Sequence, residues 1–314
     1  MISQQFAATV RRAFQKPLRL VLFGLAILLV IAYAPPVHAA TITVVQTSDG
    51  PANASDCPGT LCTLRDAIAK ANSGDTINFA FTGATIALTN GQLVINKDLT
   101  ITVVHPCDVT IDAQHNSRIF DVQANKALTL NELCLDNGFV DTSGDGGGIR
   151  VAGGASLTLN SVIMLGNRVQ GSGPRGGAIY NNGTLSVNGN SDFFQNAAGN
   201  LTSNTNTGGA IFNDGAASLN GSTDSAGIRS IVLSNNSAAL EGGAIFNNGT
   251  MTLSDVSLSS DSAFAGGAIV NNSGVMTLTE TLVSSNHADT VGGGLVNEGA
   301  GELNVYDSTI VLED

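Results

Sequence analysis

Outside its first 39 residues, this 314-residue sequence offers few side chains that could do chemistry: four cysteines, three histidines and a short series of carboxylates. Cys57, Cys62, Cys107 and Cys134 are spaced C-x4-C and C-x26-C. A structural zinc site would need a second closely spaced ligand pair, which is missing. An even count in an oxidising compartment points instead to two disulfides. Three pairings can be drawn; Cys57–Cys62, which closes a short loop, and Cys107–Cys134, about one repeat apart, are the expected ones. Asp255, Glu280 and Asp307 each stand two residues after the second apolar residue of a short strand. Stacked, they could give oxygen ligands to a divalent cation, against the favoured expectation that they splay into water. His105, His115 and His287 lie far apart with no Ser or Cys nucleophile phrase beside them, which reads as surface histidine. The Gly-rich runs lack the Gly-Lys-Ser/Thr ending of a phosphate cradle. No catalytic residue and no cofactor is expected.

These side chains sit on a repeat. Gly146-Gly147-Gly148-Ile149 recurs as Gly-Gly-Ala-Ile at 176, 208, 242 and 266 and as Gly292-Gly293-Gly294-Leu295, at intervals of 30, 32, 34, 24 and 26 residues. Periods of this size mark solenoids or propellers. Each unit continues with an Asn-Gly turn, a short alternating strand such as Met251-Thr252-Leu253, and a third strand ending in apolar-x-x-Asn, as in Phe193-Phe194-Gln195-Asn196. Three short strands in about 25 residues leave no room for helices and are too short for a propeller blade, which needs about 40 residues. A parallel β-helix fits, with position n of one coil over position n of the next at about 4.8 Å. At that separation a Cys107–Cys134 bridge between neighbouring coils is geometrically allowed.

Stacking turns positions into columns. Ile149, Ile179, Ile211, Ile245, Ile269 and Leu295 form an apolar ladder. Asn181, Asn213, Asn247, Asn271 and Asn297, two residues on, share its parity and should form an internal amide ladder, because unpaired buried amides are costly. The position between them faces the other way. It holds Arg150, Tyr180, Phe212, Phe246, Val270 and Val296, an outer strip that is either a contact surface or, as the longer inserted intervals favour, covered by loops. The matches to Asn-x-Ser/Thr at Asn53, Asn182, Asn200, Asn220, Asn235, Asn248 and Asn271 are better explained as turn chemistry.

Met1–Arg19 is basic without an acid, Leu20–Ala34 is continuously apolar, and Val37 and Ala39 are small residues before a cleavage point. This is the pattern of a secretory signal over 1–39. The whole chain has 13 Lys+Arg and 25 Asp+Glu, a net charge of −12. Removing residues 1–39 takes away four bases and no acid, leaving −16. Clustered basic residues for nucleic acid are therefore missing. Membrane contact is expected only through the signal or an anchor beyond this sequence.

Between signal and repeats, Thr63-Leu64-Arg65-Asp66 reads as a capping box opening a short helix, with Leu64, Ile68 and Ala71 on one face. Alternating strands at 75–79, 85–88, 93–95, 99–103, 109–111, 119–122 and 128–130 read as the first coils. Cys62-Thr63-Leu64-Arg65-Asp66-Ala67-Ile68 resembles the CSLREA motif of bacterial exported proteins, departing at Thr63 and Asp66. The Gly-Gly-Ala-Ile and Phe-x-x-Asn phrases resemble the repeats of polymorphic outer membrane proteins. These resemblances imply an all-β chain, a right-handed single-stranded parallel β-helix of pectate-lyase-like architecture with a short N-terminal capping helix. The expected layout is a signal at 1–39, a cap at 40–80 and a β-helix at 81–314, with the Gly-Gly repeats from about 146. Leu303–Glu313 aligns with the coil from Met251 and stops before another Gly-Gly, so a fragment of a longer protein or a gene ending early is expected. The implied function is a non-catalytic secreted or cell-surface protein, adhesin-like or a structural passenger, with cell-surface glycans or other surface proteins as partners. The alternative is a polysaccharide lyase or glycoside hydrolase on the same fold. Against it, the phrases N-T-D, D-D, G-H-G and R-I-K of polygalacturonase-like enzymes are absent.

Overall fold

The computed structural model describes residues 39–141, 144–171, 173–199 and 205–311. The expected signal over 1–39 lies outside the described residues, Ala39 apart. From Ala40 the chain winds through four parallel sheets of ten, nine, six and eight strands, here sheets 1 to 4. One coil shows the order: Thr184–Asn188 in sheet 1, Ser191–Phe194 in sheet 2, Ala197–Ala198 in sheet 3 and Ile211–Asn213 in sheet 4. Every neighbour in each sheet is the same element one coil away, so the fold is the parallel β-helix that the repeat predicts.

Alternation along the strands fills the inside. Leu157 and Leu159 stack on Leu185 and Val187, which stack on Ala217 and Leu219; most of these side chains are fully buried in one continuous core. The Ile ladder is in register from Ile149 to Leu295. The two glycines at its foot have separate reasons. The first takes a left-handed backbone, with φ between 60 and 70° at Gly176, Gly208, Gly242, Gly266 and Gly292, where a side chain is strained. The second has no room: a Cβ on Gly209 would strike the Gly243 carbonyl, and one on Gly243 that of Gly267.

Sequence periodicity gives three strands per coil; from Phe139 on the structure has four. Sheet 3 is built from pieces as short as Phe139–Val140 and Arg168–Val169. Two residues cannot display an alternation, so this wall leaves no periodic signal. Its inward Val169, Ala198, Ala238 and Ala263 form a small apolar cluster apart from the main core.

The cap follows its sequence signals. Helix α1 spans Leu64–Lys70, with both hydrogen bonds of the capping box between Thr63 and Asp66. It ends at Lys70, because Ala71 already leaves the helical region, with ψ of 150°. Leu64, Ala67, Ile68 and Ala71 join the solenoid core, so the helix closes its first end. Arg65 clamps the cap to the coils, pairing with the buried Asp49 at 2.7 Å and donating to the Gly91 and Gln92 carbonyls. Both expected disulfides are present: the Cα atoms are 4.8 Å apart in Cys57–Cys62 and 4.9 Å in Cys107–Cys134.

Two amide ladders run inside the solenoid. In the expected one, Nδ2 of Asn181, Asn213, Asn247 and Asn271 each donates to Oδ1 of the next Asn, at 2.7, 2.8, 2.8 and 2.7 Å, ending on Asn297. The second comes from the apolar-x-x-Asn phrase. Asn167, Asn196 and Asn236 donate Nδ2 to the following member at 3.1, 3.0 and 2.9 Å, and the last of these acceptors is Asp261. Each Asn of this ladder also donates to a strand carbonyl of the preceding coil: Leu135 from Asn167, Met164 from Asn196, Phe193 from Asn236 and Leu258 from Asn286.

Asn247→Ala, which leaves buried partners unpaired, should lower the melting temperature by several degrees, as thermal denaturation of the two chains checks.

Candidate functional site

The outer strip is where alternation puts it, on the far side of sheet 4 from the Ile ladder. Tyr180, Phe212, Phe246, Val270 and Val296 stand over one another in register. Their rings form a column: Tyr180 stacks on Phe212 at 5.7 Å and Phe212 on Phe246 at 5.1 Å, with 7° between the latter planes. The strip is not an open surface. Phe212 and Phe246 are 2% and 5% exposed, and with Val270 they form an apolar cluster of their own. Arg175, in the long interval before Gly176, lies over the rings of both Tyr180 and Phe212, at 4.8 and 4.7 Å. It also pairs with Asp145 at 2.9 Å and Asp214 at 3.3 Å, while the Tyr180 hydroxyl donates to Asp214. Burial first, then that hydrogen bond, push the Tyr180 hydroxyl up to about 12.

Toward the first coils the same column turns charged. Asp121, Arg150 and Tyr180 are register partners, and beside them opens a cleft of about 480 Å³ lined by Gln92, Arg118, Asp121, Asp145, Arg150 and Tyr180 among others. Arg150 holds the buried Asp121 with two bonds, at 2.6 and 3.0 Å. Arg118 is spent on the wall: it donates to the Gly146 and Asp145 carbonyls and to Gln92 Oε1. Burial, only partly offset by Asp121, lowers its affinity for a proton. Of this group sequence reasoning singled out Arg150 and Tyr180 alone. Asp121 was findable, since it continues their column, but Arg118, Asp145 and Arg175 lie in loops that carry no repeat position.

The acidic column has a backbone cause. Asp255, Glu280 and Asp307 occupy the corner between sheets 1 and 2 in left-handed conformation, with φ of 54°, 49° and 47°. Asp255 accepts from the Thr223 hydroxyl at 2.6 Å. Among the described residues, no three His, Cys, Asp or Glu side chains gather closely enough to hold a metal ion. The histidines are exposed and separate: His105 contacts Asp108, His287 contacts Asp289, and His115 meets the edge of Phe139.

One carboxylate pair was not foreseen. Asp112 and Asp136 are register partners on the outer side of sheet 2. Asp112 accepts from Asn137 Nδ2, whereas a buried oxygen of Asp136 has no hydrogen-bond partner. Burial, and then the charge of Asp112, raise Asp136 to about 6. An acid raised in the folded state ionises more easily unfolded, so it penalises folding above its folded value and not below its unfolded one. Stability from this group should thus fall as pH rises from about 4 to about 6. Melting curves across that window should show the fall, and Asp136→Asn should flatten it and melt higher at pH 7. The stacked rings give a second expectation. Phe212→Ser should cost about 3 kcal/mol, as large-to-small changes at buried Phe do, measurable by denaturant unfolding.

Residues 230–248 match the family model of the Chlamydia polymorphic membrane protein repeat. No curated protein and no solved structure matches the chain. The matched segment runs from Ser230 to Asn248 and contains one rung of each inner ladder, Asn236 and Asn247. The chain thus carries a repeat similar to that of the chlamydial polymorphic membrane proteins, set in a disulfide-bridged parallel β-solenoid.

Proposed function

We propose that the chain is exported and acts without catalysis at a cell surface or after release from it, as an adhesin-like or structural passenger. The observation that carries this reading is the match at 230–248 to a repeat of polymorphic membrane proteins, in a phrase that recurs in register through six coils. Two disulfides support an oxidising location outside the cytoplasm, and the CSLREA-like cap and the basic-then-apolar start agree with export. The rival reading, a polysaccharide lyase or glycoside hydrolase, would have to work in the cleft beside Arg118 and Arg150. There Arg118 is held by the Gly146 carbonyl and Gln92, and Arg150 is paired with Asp121, which speaks against Asp121 serving as an acid or base.

Expression of the full chain in a Gram-negative host tests the reading. Envelope or medium should yield a protein starting at Ala40 with all four cysteines protected from alkylation, and it should leave a panel of acidic polysaccharides uncut. A cytoplasmic protein with free thiols, or cleavage of any of those polymers, would overturn it.

A further inference from the structure

The widest face of the solenoid is the outer side of sheet 1, whose ten strands pair without a register shift. Three outward columns run along most of it. The central one is Thr or Ser in every coil from Thr41 to Thr277. On one side of it, Asn131, Asn160, Asn188 and Asn220 form a third amide ladder, linked at 2.7, 3.0 and 3.4 Å. From Ala127 to Thr279 no Asp, Glu, Lys or Arg occupies an outward position; Asp98 stands one coil before Ala127 and Glu302 follows Val275. The face is open, with Thr184, Thr250 and Thr252 exposed.

Strand geometry fixes the spacing of this array: about 4.8 Å from coil to coil and about 6.7 Å between outward residues of one strand. A face that reads alike in every coil cannot select one small molecule; it matches a ligand that is itself periodic. A hydroxyl donates once and accepts twice, as a water molecule in a lattice both donates and accepts. The chain beyond residue 39 carries −16, yet the stretch of this face from Ala127 to Thr279 carries no charge of its own, which suits a neutral partner. It also lacks the aromatic rings on which sugar rings stack, up to Tyr306 in the last of the ten strands.

We infer that the outer face of sheet 1 binds ice, holding an ordered layer of water on its central hydroxyl column and the amide column beside it. The inference stands apart from the surface-protein reading and needs no anchor or second protein.

The test is ice growth with the full chain: thermal hysteresis of a single ice crystal, and grain coarsening in frozen sucrose. The unmodified chain should shape and slow the crystal. Thr158→Lys and Thr252→Lys, each placing a charge in the central column, should lose that effect at an unchanged melting temperature. Ser257→Lys, on the outer side of sheet 2, should keep it. Ice growing equally with and without the unmodified chain would overturn the inference, whatever the variants do. So would equal loss in Ser257→Lys, or retention on crystalline cellulose or chitin powder without any effect on ice.

Discussion

A buried amide has to be hydrogen-bonded, and in this solenoid its partner is the same amide one coil away. That constraint sets much of the rest. An Asn ladder closes only if successive coils stand in register, so register fixed at Asn181, Asn213 and Asn247 is register fixed for the Ile column two residues back and for the ring column between them. The second Gly of each pair follows from the same closeness: coils stacked this tightly leave no space for a Cβ at the corner. Each coil contributes little alone, and its core is completed by the coils on either side.

How much was legible in the sequence depended on whether a feature recurs. The Gly-Gly-Ala-Ile corner, the Asn two residues later and the parity of Phe212 and Phe246 repeat at fixed offsets, so fold, register and facing could be read from spacing. Sheet 3 could not, since two residues carry no period. The apolar-x-x-Asn phrase was visible as a phrase, but not as a ladder, because strand alternation from Phe193 and Leu233 would point Asn196 and Asn236 outward, and the left-handed residue before each Asn, Gln195 or Asn235, turns them in. Arg118 and Arg175 occur once each, in loops of differing length, and a unique residue in a variable loop leaves no pattern to extrapolate.

Charge is distributed by the same logic. Apart from the corner column of Asp255, Glu280 and Asp307, ionic groups gather where a column is broken, because a like charge repeated in every coil stacks on itself. Asp121 and Arg150 alternate in sign down one column, and Arg175 reaches across coils to Asp145 and Asp214. Where two acids do fall in register, as Asp112 and Asp136, one of them holds its proton to a higher pH. The long neutral face of sheet 1 is the limiting case.

The interval between Gly208 and Gly242 is the longest, and its extra length loops out as the segment Ser222–Ser230. That loop is closed on itself by two bonds between Ser222 and Ser230, each 2.8 Å. The strands on either side, Ala216–Asn220 and Ile231–Ser234, meet the next coil with no shift. Length added at this corner is therefore invisible to the stack. The solenoid behaves as a ruler with sockets: a foreign peptide spliced between residues 222 and 230 would be held at a fixed height along the rod, and further sockets at other corners would set the distance between two such peptides in whole coils.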